Sequence, residues 1–214
     1  MITSVNNAVL VGGVIEPSKW GRNARIVDNY MEGNPDMPFI TQWAPVGFDG
    51  AIGTGNTLVN GSFYSDTFPY LNTVASNNTV RNGGFMSQSI SENLSVINNT
   101  FSPGKNGIGI QLSAPARNTL IAGNRIIKGP ATYGIVINNL NEVRTIDGTR
   151  IVGNAVDGGM INGTIFDHPG TNTICIGNRT PAGAVVTGLE DTAVIGDVSG
   201  SVTPTPKPEG ENAR

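Results

Sequence analysis

Apolar positions in this chain come in pairs that bracket two small polar residues. A six-residue unit recurs, reading apolar, any, Asn or Gly, Asn or Gly, any, apolar. Its clearest copies are Val96-Ile97-Asn98-Asn99-Thr100-Phe101 and Ile121-Ala122-Gly123-Asn124-Arg125-Ile126. Leu58 to Phe63, Val80 to Phe85 and Ile151 to Val156 follow it, Ile26 to Met31 and Cys175 to Thr180 vary it, and Ser4 to Val9 and Val194 to Ser199 match it loosely. The copies start at 4, 26, 58, 80, 96, 121, 151, 175 and 194, so the mean spacing is about 24 residues, which is the period of a solenoid. Gly and Asn tolerate the left-handed backbone of a tight corner, and the flanking runs are short and rich in Val, Ile, Thr and Phe. The unit therefore predicts strand, corner, strand. No window of a dozen residues keeps a helical period, and the several Leu per turn of a leucine-rich repeat are missing.

Between the corners lies a second kind of strand, seen in Gly107-Ile108-Gly109-Ile110-Gln111-Leu112, Gly134-Ile135-Val136-Ile137 and Gly159-Met160-Ile161. Each coil then holds several short strands, and stacking the coils pairs each strand with its equivalent one coil on, about 4.8 Å away. The apolar positions form a continuous inner core, and the corner Asn form a ladder of amide hydrogen bonds. The resulting expectation is an all-β parallel β-helix of about eight or nine coils over residues 1–200.

The Asn-Asn and Gly-Asn corners flanked by Ile, Val and Phe resemble the right-handed parallel β-helix family, as in pectate-lyase-like proteins and phage tailspikes, over roughly residues 2–200. The resemblance implies the fold. It leaves function open, because that fold carries lyases, hydrolases, epimerases, adhesins and inert virion parts.

Three stretches depart from the repeat. The interval from Ile26 to Leu58 is the longest and reads as an inserted loop, with Asn34-Pro35-Asp36 and Trp43-Ala44-Pro45 inside it. Eleven of the 13 aromatics lie between Trp20 and Phe101. Phe63, Phe85 and Phe101 share one motif position and should stack inside. Trp20, Trp43, Phe48, Tyr64, Phe68 and Tyr70 fall outside it, as a cover for the solenoid, a subunit interface or a sugar-stacking surface. Residues 201–214 form a polar arm alternating with Pro204, Pro206 and Pro208 and ending at Arg214, extended and semi-rigid by composition. The repeat also starts within a few residues of Met1 and leaves no room for a polar cap, so the expectation is either a piece of a longer chain or a first coil covered by another subunit.

Composition narrows the function classes. Of 214 residues, 29 are Gly and 25 are Asn, about twice ordinary usage for the pair. Charged residues are 14% and the formal net charge is −3, with no basic stripe that would track a phosphate backbone. The start of the chain lacks the basic and apolar regions of a signal peptide. The longest apolar run, Ala8 to Ile15, is far too short to span a bilayer.

Candidate chemistry is sparse. Sugar lyases and hydrolases need clustered carboxylates, or a Ca²⁺ site with a proton-abstracting base. Asp28 precedes the corner Asn29 and reads as a turn residue in place of Asn. Asp49 and Asp66 lie in loops near the aromatic segment and could meet across coils; with Asp28 they are the catalytic candidates of an alternative reading, beside Trp43 as a carbohydrate contact. His168 is the sole histidine and reads as a loop residue before Pro169-Gly170. Cys175 occupies an apolar motif position and reads as a buried small hydrophobe. Sequons at Asn60, Asn77, Asn93, Asn98, Asn162 and Asn178 follow from Asn-rich corners beside Ser and Thr. The paired-Asp and Asn-Thr-Asp patterns of β-helix pectin hydrolases are missing, as is the Tyr-Gly-Phe-Asp-Pro-His segment of the epimerases.

The expectation is a non-enzymatic structural or decoration protein of a virus particle, of a bacteriophage by preference. It is a homotrimer that docks on a capsid or tail protein through Pro204, Pro206, Pro208 and Arg214, with no cofactor, metal, nucleic acid or membrane. The alternative is a tailspike-like module that binds or degrades a surface polysaccharide, in an extracellular setting.

Overall fold

The computed structural model describes residues 3–5, 8–10, 23, 25–33, 49–65, 69–104, 107–112, 116–127, 133–138, 146–156, 165–168, 170–179, 186–187 and 192–195. All regular structure among them is β-strand, and every strand pairing is parallel. No helix among them is long and apolar enough to cross a membrane.

The strands stack into four faces of a β-solenoid. Face 1 has nine strands, from Thr3–Val5 through Arg25–Val27, Ile52–Thr54, Val74–Ser76, Ser95–Ile97, Leu120–Ala122, Arg150–Val152 and Thr173–Ile176 to Thr192–Ile195. Face 2 has seven strands, from Ala8–Leu10 to Ala155–Val156. Face 3 has six, from Phe63–Ser65 to Val186–Thr187, and face 4 has five, from Tyr70–Leu71 to Gly170–Thr171. From Phe63 to Val156 the chain visits faces 3, 4, 1 and 2 in that order four times, giving four complete coils.

The register refines the repeat. Ser4, Ile26, Gly53, Ala75, Val96, Ile121, Ile151, Cys175 and Val194 are mutual partners along face 1. Seven of the nine motif starts fall on this row, and those at 58 and 80 do not. Leu58 and Val80 are paired on face 2, and Asn60 and Asn82 turn the next corner. In those two coils the inward position of face 1 holds Gly53 and Ala75, too small to register as apolar anchors, whereas the following corner is flanked by Phe63 and Phe85.

With the register corrected, corner Asn29 is followed at 27, 22, 21, 25, 30 and 24 residues by its equivalents. The longest coil therefore runs from Asn124 to Asn154, not across Ile26 to Leu58. The proposed inserted loop, with the segments 34–39 and 42–49, lies outside the described residues except for Asp49, which pairs in parallel with Leu71.

Inward side chains of all four faces share one core. Ile26, Val96, Ile121, Ile151 and Cys175 come from face 1, and Met31, Leu58, Val80, Phe101 and Ile126 from face 2. Phe63 and Phe85 stack on face 3 with ring centroids 5.9 Å apart. Phe101 is not in that stack, since it pairs with Val80 and Ile126 one face earlier. Tyr70, expected on the surface, is wholly buried and tilts against Phe85 at 5.3 Å. Its hydroxyl has no hydrogen-bond partner, and burial pushes its pKa far above the ordinary phenol value.

The second strand type lies on face 3, where Ile110 partners Ile135. Its third copy, residues 159–161, lies outside the described residues, and the in-register strand of that coil is Ile165–His168. His168 thus closes a strand and is not a loop residue. Cys175 is buried, as its motif position implied.

Candidate functional site

Three corners carry the polar chemistry of the solenoid, and the motif's two middle positions do different jobs there. Between faces 1 and 2 the first position is Asp28, Gly55, Asn77, Asn98, Gly123, Gly153 or Gly177, every one with φ between 55° and 69°. This left-handed residue turns the chain, which is why Gly, Asn and Asp interchange at it. Gly55 lies against the Asp28 carboxylate one coil before it.

The second position is always Asn. Asn29, Asn56, Asn78, Asn99, Asn124, Asn154 and Asn178 are all buried. Each Oδ1 from Asn56 onward accepts both the backbone N–H and the Nδ2–H of the Asn one coil before, at 2.9–3.0 Å. The second Nδ2 hydrogen goes to a face 1 carbonyl of the preceding coil, as from Asn78 to Gly53 and from Asn99 to Ala75. An amide offers two donors and two acceptor sites, so the internal rungs use all four.

The corner between faces 4 and 1 carries an outer ladder. Asn72 donates to Asp49 at 2.6 Å, Asn93 to Asn72 at 2.8 Å and Asn118 to Asn93 at 3.4 Å. These asparagines are exposed and left-handed. A short third ladder links Asn82 to Asn60 and Asn60 to the Gly33 carbonyl at the corner after face 2.

The acidic candidates are held apart. Asp28 has a left-handed φ of 55° and is an exposed turn residue in the row of Gly55, Asn77 and Asn98. Asp49 pairs in parallel with Leu71 at face 4 and anchors the outer ladder. The two therefore flank face 1 on opposite sides, roughly 15–20 Å apart at extended-strand rise. Asp66, Trp43, Pro204, Pro206, Pro208 and Arg214 lie outside the described residues. Among the described residues, no three of His, Cys, Asp and Glu gather at one point.

Sequons divide by burial. Asn178 is a rung of the buried ladder, and Asn60 sits in the short third ladder. Asn77, Asn93 and Asn98 are exposed, so Asn98 turns the corner while its neighbour Asn99 supplies the rung.

The outward faces differ sharply in chemistry. Face 2 presents Tyr30 and Glu32, Thr57 and Val59, Thr79 and Arg81, Thr100 and Ser102, Arg125, and Ala155. The Tyr30 hydroxyl donates to Glu32 at 2.9 Å, and this bond raises its pKa above the ordinary phenol value. Face 4 sets Arg117 in register between Glu92 and Asp147.

Face 1 is different. One outward column holds Arg25, Ile52, Val74, Ser95, Leu120, Arg150 and Ile174; the other holds Val27, Thr54, Ser76, Ile97, Ala122, Val152 and Ile176. Ile176 is 37% exposed, and most of the others are half-buried by neighbours one coil above and below. Sequence reasoning passed over this apolar surface. Its signal was the motif's second position, taken as free, which holds Val27, Ile97, Ala122, Val152 and Ile176.

Comparison with protein-family models, with curated proteins and with solved structures finds no match to this chain.

Proposed function

We propose that the chain is a non-enzymatic architectural part of a virus particle, of a bacteriophage by preference: a homotrimer of right-handed parallel β-helices that docks on a capsid or tail protein through residues 201–214. The buried asparagine ladder carries this reading. It has seven rungs and leaves none of its internal ones with an unsatisfied amide group. Such a column makes a stiff stem whose coils hold one another in register. The separation of Asp28 from Asp49 on either side of face 1 is consistent with it, because a carboxylate pair acting on a sugar needs its members within about 10 Å.

The arm is assigned the docking role because its alternating prolines favour an extended form that loses little entropy on binding. Deleting residues 201–214 is expected to abolish incorporation into particles while far-UV circular dichroism of the stem stays unchanged. Normal incorporation of the truncated chain would rule the docking role out.

A second reading, a tailspike-like module that binds or degrades a polysaccharide, rests on the aromatic concentration between Trp20 and Tyr70. Tyr70 no longer supports it, since its ring is in the core. Trp43, Asp49 and Asp66 remain its residues. Release of reducing ends from a host polysaccharide, lost on Asp49→Asn or Asp66→Asn, would favour it over the first.

A further inference from the structure

We infer that the outward surface of face 1 is where copies of this chain meet, three around an axis parallel to the solenoid, with coils at equal levels side by side. This rests on the homotrimer in the reading above and names its interface.

The first argument is chemical. A monomeric surface seldom carries a contiguous apolar patch without a role. Face 1 turns Ile52, Val74, Ile97, Leu120, Val152, Ile174 and Ile176 outward, while face 2 at comparable burial turns out mostly threonine and charge, with Val59 and Ala155 its apolar members.

The second argument is steric and identifies the occupant. In four successive strands one outward residue is large and the other small: Ile52 with Thr54, Val74 with Ser76, Ile97 with Ser95, Leu120 with Ala122. Around a three-fold axis the second column of one copy meets the first column of the next at the same level. Thr54 then faces Ile52, Ser76 faces Val74, Ile97 faces Ser95 and Ala122 faces Leu120, so large meets small at these four central levels, while Val152 faces Arg150 and Ile176 faces Ile174 beyond them. The surface complements itself, and a second copy is the partner that supplies that match.

The third argument is electrostatic. At the Arg25–Val27 level, the guanidinium of Arg25 comes opposite Val27 of the next copy, with the exposed Asp28 carboxylate one residue beyond, within reach of the long arginine side chain. A pair of copies would bury little beyond face 1 itself, whose seven strands Arg25–Val27 to Thr173–Ile176 cover roughly 350 Å² in projection. A ring of three also brings both flanking corners of each copy into contact.

The test is the mass of the full-length chain by light scattering after size exclusion, at about 10 μM, a concentration that populates any assembly of micromolar affinity. The wild type is expected at three times 22.3 kDa. Ile97→Lys with Leu120→Lys is expected to give single chains with an unchanged β-sheet circular dichroism spectrum. Ala122→Leu alone, which sets large against large, should weaken assembly about tenfold, and the exchange Leu120→Ala with Ala122→Leu should restore it. A trimer that survives both lysines would overturn the interface and leave the homotrimer standing. A wild type of single chains would overturn both together, and a wild-type dimer would overturn the three-fold arrangement. A swap variant as weak as Ala122→Leu would overturn the in-register packing.

Discussion

Two asparagine ladders run along this solenoid, one inside and one outside, and they use the same side chain for different ends. Inside, Asn56, Asn78, Asn99, Asn124 and Asn154 each place two donors and two acceptor sites in hydrogen bonds, with no water to compete. Outside, Asn72, Asn93 and Asn118 make one rung each, of 2.6, 2.8 and 3.4 Å, and water can take the place of any of them. The outer asparagines adopt the left-handed backbone, whereas the inner ones leave that task to the residue before them. Inner rungs hold because a lost partner strands a buried group. Outer rungs sit where they do because the corner needs a left-handed residue, and their amides link up as a by-product. The outer corner accordingly tolerates Gly50 and Gly148, while all seven rungs of the inner ladder are Asn.

The largest effect should come from removing an inner rung. Asn99→Ala strands the backbone N–H and one Nδ2 hydrogen of Asn78, and it takes a donor from the Ala75 carbonyl. At about 1–3 kcal/mol per buried unsatisfied group, the loss should be about 3–5 kcal/mol in urea denaturation. A loss below 1 kcal/mol would erase the distinction between the ladders.

Tyr70 tests the interior from another side. Its hydroxyl is buried without a partner, so ionisation is strongly disfavoured in the folded chain. In the unfolded chain the phenol ionises near its ordinary value of 10.0. The folded pKa is the higher, so the contribution is fully present below pH 10 and is lost as pH rises, by about 1.4 kcal/mol per pH unit. Wild type should lose stability between pH 10 and 12 more steeply than Tyr70→Phe. Equal slopes in the two proteins would place the phenol in contact with solvent.

Outside, Asn93→Ala should cost only about 1–2 kcal/mol, mostly for forcing a Cβ-bearing residue into a left-handed turn at φ 52°. Asn93→Gly should lie within about 0.5 kcal/mol of wild type, because glycine accepts that backbone freely. If the glycine variant were as damaged as the alanine one, the outer amide bonds would matter after all.

The sequence made the coil legible and blurred its phase. Asn pairs and their apolar brackets are local signals, and seven of nine starts fall on one row of face 1. Two slipped because a coil has three corners built from the same residues, and only burial tells them apart. Leu58-Val59-Asn60-Gly61-Ser62-Phe63 fits the motif better than Gly53-Thr54-Gly55-Asn56-Thr57-Leu58, yet Asn56 is the buried rung. Tyr70 was misplaced for a related reason: it lies on face 4, where the inward residues Tyr70, Ser91 and Ala116 share no motif and only stacking reveals the row. The separation of Asp28 from Asp49 was equally hidden, since each lies at a corner and nothing local says that the corners differ. The apolar outside of face 1 was present in the motif but was masked by treating its second position as free.

The smallest expected effect has the opposite sign. Thr119 and Thr149 are neighbours at the inner side of the corner between faces 4 and 1, both buried, and neither hydroxyl has a hydrogen-bond partner. Thr73, two coils before Thr119 in the same column, bonds to the Leu71 carbonyl at 3.0 Å. Replacing a buried unpaired hydroxyl with a methyl of similar shape removes a desolvation penalty and strands nothing. Thr119→Val should therefore stabilise by about 0.5–1 kcal/mol, whereas Thr73→Val should destabilise by a similar amount through loss of its bond. The two substitutions are chemically identical and lie two coils apart on one column. If their denaturation midpoints shift in the same direction, hydrogen bonding inside the corner does not set the sign, and the rule that separates inner from outer ladders would fail at its finest test.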